Sequence, residues 1–285
     1  MTISLKALRL LLFVGCFSLS APAQTSTPEA TRQPTPKEQA WNLLRAGVRS
    51  LKNDQRATAV RALSLLRGQS EAVTMARKAL ADKNPKVRTA AALALGELHA
   101  SSAISKLKDA LSDKEVSVVL AAAHALLLLK DTSAYEVYYA ILTGERKGSR
   151  GLVSGELDTL KDPKKMAMLG VQGGIGFIPF GGIGFTAVQT IMKDDSSPVR
   201  AAAALVLAED PDPKTTDGLA EEAVNDKSEL VRTAALDAIA LRGDPACIGK
   251  IEPAMSDAKD SVKYTAAATV ARLTAIAERR QVKTK

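Results

Sequence analysis

Aromatic side chains are scarce in this chain. Phe, Trp and Tyr together make up 4% of the residues, whereas hydrophobic residues of all kinds make up 46%. The apolar content is therefore mostly Ala, Leu, Val and Ile. Small aliphatic side chains suit closely packed helices better than β-sandwiches pinned by aromatic rings. The composition predicts an all-α fold.

Histidine and cysteine are also rare, with two of each: His99, His124, Cys16 and Cys247. The sequence contains no H-E-x-x-H, no C-x-x-C and no clustered His-Glu pairs, so a multi-ligand metal centre is not supported. It also lacks the G-x-S-x-G turn of hydrolases and the G-x-x-x-x-G-K-[ST] phosphate loop. We expect no metal, no cofactor and no catalytic centre.

The N-terminus has the pattern of a targeting segment. Lys6 and Arg9 precede the apolar run Leu10–Leu19, and an A-x-A cleavage pattern follows at Ala21–Ala23. This pattern predicts a signal peptide over residues 1–23 and an exported chain, because the apolar run is too short to span a membrane. An alternative is a lipobox ending at Cys16, which would make the chain a lipid-anchored protein of the cell envelope.

Cleavage after Ala23 would leave Cys247 as a lone thiol, so no intrachain disulfide is expected. The formal charge of +8 would fall to +6 with the loss of Lys6 and Arg9. For an exported protein we expect no nucleic-acid partner. Scattered Lys and Arg are typical of solvated helix surfaces, and acidic proteins, acidic envelope polymers and anionic lipids remain as partner classes.

Residues 24–38 are rich in Thr and Pro and show no apolar periodicity, which predicts a flexible tether. Residues 277–285 are charged and end the chain, and they are interpreted as a frayed basic tail. The region between, 39–276, is dominated by internal repetition.

The repeat is marked by an aspartate followed by a Val-Arg-like pair and an alanine-rich run. The intervals from Asp82 to Asp113, from Asp195 to Asp226 and from Asp226 to Asp257 are each 31 residues. A degenerate earlier copy is predicted to start at Asp54. Each unit predicts two helices joined by a turn, with the aspartate capping the alanine-rich second helix.

The pairs Val87-Arg88, Val199-Arg200, Val231-Arg232 and Val262-Lys263 resemble HEAT-like repeats of the short, phycobilisome-lyase type. The whole chain is similar to exported bacterial HEAT repeat domain-containing proteins, for which no activity is established. The resemblance implies an α-solenoid of about six helical pairs with an irregular capping unit at its start.

The same resemblance implies that each valine packs in the core and that each basic residue bonds to turn aspartates or carbonyls. The predicted ladder consists of Asp82, Arg88, Asp195, Arg200, Asp226, Arg232, Asp257 and Lys263. Val118-Val119 stands where Val-Arg is expected, which predicts a break in the ladder there.

The array is interrupted by a glycine-rich insert at about residues 144–185. Val118 and Val199 are 81 residues apart, whereas two regular repeats need 62. The string Gly-Gly-Ile-Gly-Phe occurs at 173–177 and again at 181–185. We interpret the insert as a packed element whose edge contacts a partner. A lipid-inserting hairpin is the alternative, and a dinucleotide loop fails because no strand precedes the glycines.

Aromatic residues on and near the insert are the candidate partner-binding residues. They are Tyr135, Tyr138, Tyr139, Phe177, Phe180 and Phe185. The sequence therefore predicts a non-catalytic scaffold or adaptor of the cell envelope that docks a peptide or protein partner along the solenoid groove. The rival is a membrane-associating protein that uses the insert or a lipidated Cys16. A lyase-like enzyme is the weakest alternative, since it rests on fold analogy alone.

Overall fold

The computed structural model describes residues 32–143 and 197–283. These residues form α-helices and short 3-10 turns, and they contain no strand. All the described helices belong to one compact unit, Pro34–Lys285. The all-α prediction is confirmed.

The helices are short and follow one another closely along the chain. Their bounds are α1 Pro36–Val48, α2 Asn53–Ala62, α3 Ser70–Ala79, α4 Pro85–Glu97, α5 Ile104–Ala110, α6 Val116–Leu128, α7 Ala134–Thr143, α8 Ser197–Val206, α9 Lys214–Asn225, α10 Glu229–Arg242, α11 Ile248–Ile251 and α12 Asp260–Lys283. Short 3-10 turns are Leu63–Leu65, Ser101–Ala103, Leu207–Glu209, Pro245–Cys247 and Glu252–Ser256.

The helices pair as the repeat predicts, each pair consisting of a first and a second helix. The described pairs are α1/α2, α3/α4, α5/α6, α9/α10 and α11/α12. α7 is a first helix and α8 a second helix, and residues 144–196 between them lie outside the described residues. The predicted insert, with Phe177, Phe180 and Phe185, lies outside the described residues, as does Asp195.

Asp82 and Asp226 lie two residues before the N-caps of their second helices, whereas the sequence predicted them at the N-caps. Asn84 is the N-cap of α4, and its side chain accepts from the amide of Lys86 at 2.9 Å. The Oδ1 atom of Asp82 accepts from the amide of Asn84 itself at 2.8 Å. Asp226 accepts in the same way from the amide of Ser228 at 2.7 Å. The aspartates therefore stabilise the turn that precedes the second helix, in an Asx-turn, and do not cap the helix directly.

Small residues allow the second helices to approach closely. Val87 through Gly96 of α4 are all buried. A Cβ atom placed on Gly96 would lie 2.8 Å from Cα of Ala125 in α6, so the backbones of α4 and α6 meet where a side chain has no room. Tight packing at such a position requires glycine.

The second helices do not stack in simple chain order. Their neighbours follow the series α6, α4, α2, α12, α10, α8, in which the last helix of the chain packs on α2 and also on α1. We call the contact of α12 with α1 and α2 the seam. The prediction of a terminal capping unit at the start of the array is wrong, because the first repeat is covered by the last.

Polar and apolar contacts both cross the seam. The ammonium of Lys37 lies 2.7 Å from a carboxylate oxygen of Glu278. Nη1 of Arg272 donates to the carbonyl oxygen of Leu65 at 2.9 Å. The predicted tail is thus helical through Lys283, and α1 begins at Pro36, inside the predicted tether.

Candidate binding surface on the second helices

Arginines link each repeat to the one that follows it. In α4, Nε and Nη2 of Arg88 donate hydrogen bonds to the carboxylate of Asp113 at 2.7 and 2.8 Å. In α10, Nε and Nη2 of Arg232 donate to the carboxylate of Asp257 in the same way, at 2.8 and 3.2 Å. Arg200 of α8 bonds to Asp226. These fork-to-carboxylate contacts are the strong, orientation-specific kind of ion pair.

Arg88 and Arg232 each also bond to the turn of their own repeat. Nη1 of Arg88 donates to the carbonyl oxygens of Asp82 and Lys83, at 2.9 and 3.2 Å. Burial alone would raise the pKa of Asp113, but hydrogen bonds from Arg88 and from the amide of Glu115 hold that pKa below its ordinary value. The guanidinium therefore ties two consecutive turns together, and the ladder fixes the spacing of the repeats.

One rung of the ladder escaped the sequence analysis. In α2, Nε and Nη2 of Arg56 donate hydrogen bonds to the carboxylate of Asp82, both at 2.9 Å. The turn position of its own repeat is held by Ser50, whose hydroxyl accepts from the amide of Lys52 at 3.2 Å. The first copy therefore starts at Ser50, and the predicted start at Asp54 is wrong. The spacing of 26 residues from Arg56 to Asp82 matches that from Arg200 to Asp226. This spacing is the sequence feature from which the rung could have been predicted.

The ladder changes at two points. Lys263 bonds to Asp260 of its own helix at 2.6 Å and lies 5.0 Å from the ring centroid of Tyr264. Val119 is fully buried and carries no charge. Beyond it, Asp131 pairs with Lys108 of the preceding first helix at 2.9 Å.

The tyrosine stripe of α7 is divided between the interior and the surface. Tyr138 packs against the core, its hydroxyl is buried without a hydrogen-bond partner in the described part of the chain, and burial raises its pKa. Tyr135 and Tyr139 are 62% and 63% exposed. Of the three tyrosines in the stripe, Tyr135 and Tyr139 are therefore the ones that expose aromatic surface.

A second set of side chains lies on a different stripe of the second helices from the core valines. Val87 packs in one cluster with Ala79 of α3. Six residues further on, at about 100° per residue, Leu93 lies about 120° around α4 from Val87. The residues at the same repeat position are Arg61 in α2, Leu93 in α4, His124 in α6, Leu205 in α8, Asp237 in α10 and Ala268 in α12.

The charged members of this set act on one another. Arg61 is within electrostatic range of Asp237 and of Glu97, and Glu97 also acts on His124. Between α2 and α10 lies α12, whose residue at this position is the fully buried Ala268. An alanine there leaves room for Arg61 and Asp237 to approach each other. We call Arg61, Glu97, His124 and Asp237 the polar stripe.

Partial burial shifts the ionisation of three stripe residues. Burial raises the pKa of Asp237 to about 6, and the positive charge of Arg61 opposes the rise. Burial lowers the pKa of Arg61 and that of His124, against the opposing charge of Glu97 in both cases. The stripe is thus a half-buried surface with donors and acceptors of both signs, which suits recognition of a polar or charged ligand.

The described residues offer little for other chemistry. They contain no group of three His, Cys, Asp or Glu side chains placed to hold a metal ion. Cys247 is buried, and burial raises the pKa of its thiol to about 11, so it is a poor nucleophile. None of the described helices combines the length and the apolar character that crossing a membrane requires.

Comparison with protein families agrees with this architecture. The family model described as HEAT repeats matches residues 42–127 and 186–276, which together are more than half of the chain. The chain belongs to the HEAT-repeat family. HEAT repeats stack helical pairs into an α-solenoid, and such arrays offer extended surfaces for binding.

One similar solved structure is the complex of CpcE and CpcF of phycocyanin lyase from Nostoc sp. PCC7120. The match has 21% sequence identity and a TM-score of 0.33, and it covers 88% of this HEAT-repeat chain and 100% of that chain. At this TM-score no inference about function follows. A comparison with curated proteins found no match.

Proposed function

We propose that this HEAT-repeat protein is a non-catalytic scaffold that docks an extended peptide or protein segment along the polar stripe. A solenoid presents one face of successive second helices as a continuous track. The stripe draws side chains from α2, α4, α6 and α10 onto that track, so a ligand that follows it contacts several repeats at once.

The observation that supports this proposal is the choice of residues at one repeat position. Leu93 and Ala268 show that an apolar residue is accommodated there and is buried. Arg61, His124 and Asp237 at the same position are therefore not required by the stacking of helices. Half-buried charges are costly to maintain, and they are typical of surfaces that recognise a ligand.

The proposal includes export to the cell envelope, on the strength of the targeting pattern in residues 1–23. It also includes the absence of a catalytic centre, because the sequence carries none of the hydrolase, metal-site or phosphate-loop motifs. The exposed rings of Tyr135 and Tyr139 add a flanking contact surface at the end of the third complete pair.

Site-specific photo-cross-linking tests the proposal. A photo-reactive amino acid is placed at His124, on the polar stripe, and in a second variant at Lys106, on the exposed surface of the first helix α5. Cells expressing each variant are irradiated, and covalent adducts are identified by mass spectrometry. We expect a defined protein adduct at His124 and none at Lys106.

The adduct must then be reproduced with the purified partner, and binding must weaken in Arg61→Ala. Adducts that form at Lys106 but not at His124 would place the binding surface on the first helices and contradict the proposal. Turnover of a substrate by the purified chain would contradict its non-catalytic part.

A further inference from the structure

Three arginines converge where the first and last repeats meet. Arg272 is on α12, one helical turn beyond Ala268 and on the same stripe of that helix. Arg67 lies just after α2, and Arg279 lies two turns further along α12. Nη1 of Arg279 lies 3.7 Å from where a Cβ atom on Gly68, the residue after Arg67, would stand. Burial lowers the pKa of Arg272, and the charges of Arg67 and Arg279 lower it further. We call these three residues the arginine cluster.

The hydrogen bonds within the protein use only part of the cluster. Arg272 donates from Nε to the carbonyl of Ala240 at 2.8 Å and from Nη1 to that of Leu65 at 2.9 Å. Arg279 donates from Nε to the carbonyl of Ala275 in its own helix at 3.1 Å. Among the described residues, Nη2 of Arg272 and both Nη atoms of Arg279 have no protein acceptor.

Among the described residues, the carboxylate that pairs with the cluster is that of Glu97. Arg67 donates to the carbonyl of Glu97 at 2.8 Å and to its Oε2 at 3.2 Å. The hydrogen bonds of Arg272 and Arg279 within the described residues go to carbonyl oxygens, so neither guanidinium is paired with a carboxylate there. Like charges held this close repel one another, and a bound anion would relieve that repulsion.

We propose that the arginine cluster binds carboxylate groups of an acidic peptide segment, at the point where the polar stripe crosses the seam. This inference rests on the proposed function and names the chemistry of its ligand. Arginine forks match carboxylates in a bidentate geometry. Arg272 is half-buried, so an extended single chain can reach it, whereas a flat bilayer surface is a poorer match.

The location gives the binding a structural consequence. Arg67 belongs to the first repeat, and Arg272 and Arg279 belong to the last. An acidic segment that contacts all three bridges the two ends of the array. Because a ligand that binds the folded state stabilises it, an acidic ligand is expected to raise the melting temperature of the protein.

Fluorescence anisotropy with labelled hexaglutamate, measured at low salt of about 50 mM, tests the proposal. The test variant is Arg67→Gln/Arg279→Gln. The matched control is Lys78→Gln/Lys227→Gln, which removes the same charge from two exposed sites. We expect affinity for hexaglutamate to fall about tenfold in the test variant and less than about twofold in the control.

Equal losses in the two double variants would show attraction by net charge alone and would overturn the proposal. So would cluster-dependent flotation with phosphatidylglycerol vesicles combined with unchanged hexaglutamate binding, because the cluster would then be a lipid site. Displacement of hexaglutamate by inorganic phosphate, at a concentration equal to that of the hexaglutamate carboxylates, would also overturn the proposal. The cluster would then be a site for free anions and not for a peptide.

Two further measurements keep these outcomes interpretable. Arg279→Gln alone removes one hydrogen bond within its own helix, and we expect it to fold and to weaken hexaglutamate binding about threefold. The cross-link at His124 reads the proposed function separately. A defined adduct at His124, together with a hexaglutamate affinity that the cluster substitutions leave unchanged, would overturn only this inference.

Discussion

A Cβ atom placed on Gly47 would lie 2.5 Å from Cε1 of Tyr264, so the first and last helices of the array touch with no space for a methyl group. The same atom would lie 2.6 Å from Cβ of Ala59. Gly47 therefore marks a point of close contact in the seam, where α1 lies between α2 and α12.

Replacing this glycine is expected to destabilise the protein. Gly47→Ala gains helix propensity but overpacks the seam, and we expect a net loss of about 1–2 kcal/mol in the free energy of unfolding. The matched control is Gly218→Ala in α9, where a Cβ would meet nothing within 4 Å. That variant is expected to gain about 0.5–1 kcal/mol. Urea denaturation of both variants gives the comparison, and equal effects would argue against a tight seam.

The ladder predicts a contrast between two cations of α4. The side chains of the Arg88–Asp113 pair are 10% and 14% exposed, whereas those of the Lys86–Asp54 pair are 65% and 81% exposed. Arg88→Gln leaves a buried carboxylate without its partner and is expected to cost about 3–4 kcal/mol. Lys86→Gln is expected to cost less than about 1 kcal/mol. Thermal or urea unfolding that gave similar losses would contradict a structural role for the ladder.

Asp237 gives the stability of the protein a specific pH dependence. Its pKa is about 6 in the folded protein, against an ordinary value of 3.8. Its contribution to stability is therefore complete below about pH 4 and is lost as the pH rises through 6. Asp237→Asn cannot ionise, so its stability relative to the wild type should increase by about 2–3 kcal/mol between pH 4 and pH 7.

Arg61 provides the check on this prediction, because its charge opposes the rise in the pKa of Asp237. In the Arg61→Gln background the pKa of Asp237 should be higher still, and the pH window of the effect should move upward. A stability difference between Asp237→Asn and its parent that stays constant from pH 4 to pH 7 would show that Asp237 is not held in a half-buried site.

Lys130 occupies a position that favours glycine. Its φ is 60°, and Gly243 fills the same position of its own repeat at φ 68°. Lys130→Gly removes the steric cost of the left-handed conformation and is expected to stabilise the protein by about 1 kcal/mol. Lys106→Gly, inside α5, is expected to lose about the same amount. A loss in both variants would show that the turn after α6 gains nothing from glycine.

Much of the repeat could be predicted from the sequence because its determinants are local. The interval from Asp82 to Asp113 and the alanine-rich runs report on one helical pair and its nearest neighbour. The step from Arg88 to Asp113 lies within that range. The first rung was missed because Ser50 stands where the other repeats have an aspartate. Its hydroxyl makes the same hydrogen bond to the turn, but a serine does not match the aspartate pattern of the repeat.

The seam and the arginine cluster could not be read from the same signals. Lys37 and Glu278 are 241 residues apart, and Arg272 and Leu65 are 207 apart. No periodicity relates positions at such separations. The charged run after Ala277 also looks like a solvated tail until the pairing of Glu278 with Lys37 in α1 is known. The candidate residues Phe177, Phe180 and Phe185 stay predictions.

The central structural claim is that the two halves of the array are joined through its ends. Its most direct test is to insert a specific protease site after Ser154, cleave the folded protein, and determine the mass of the product by native mass spectrometry. The seam predicts that the two fragments stay together as a 1:1 complex, and that Gly47→Trp in the cleaved protein separates them. Fragments that separate at once, with Gly47 unchanged, would contradict the account.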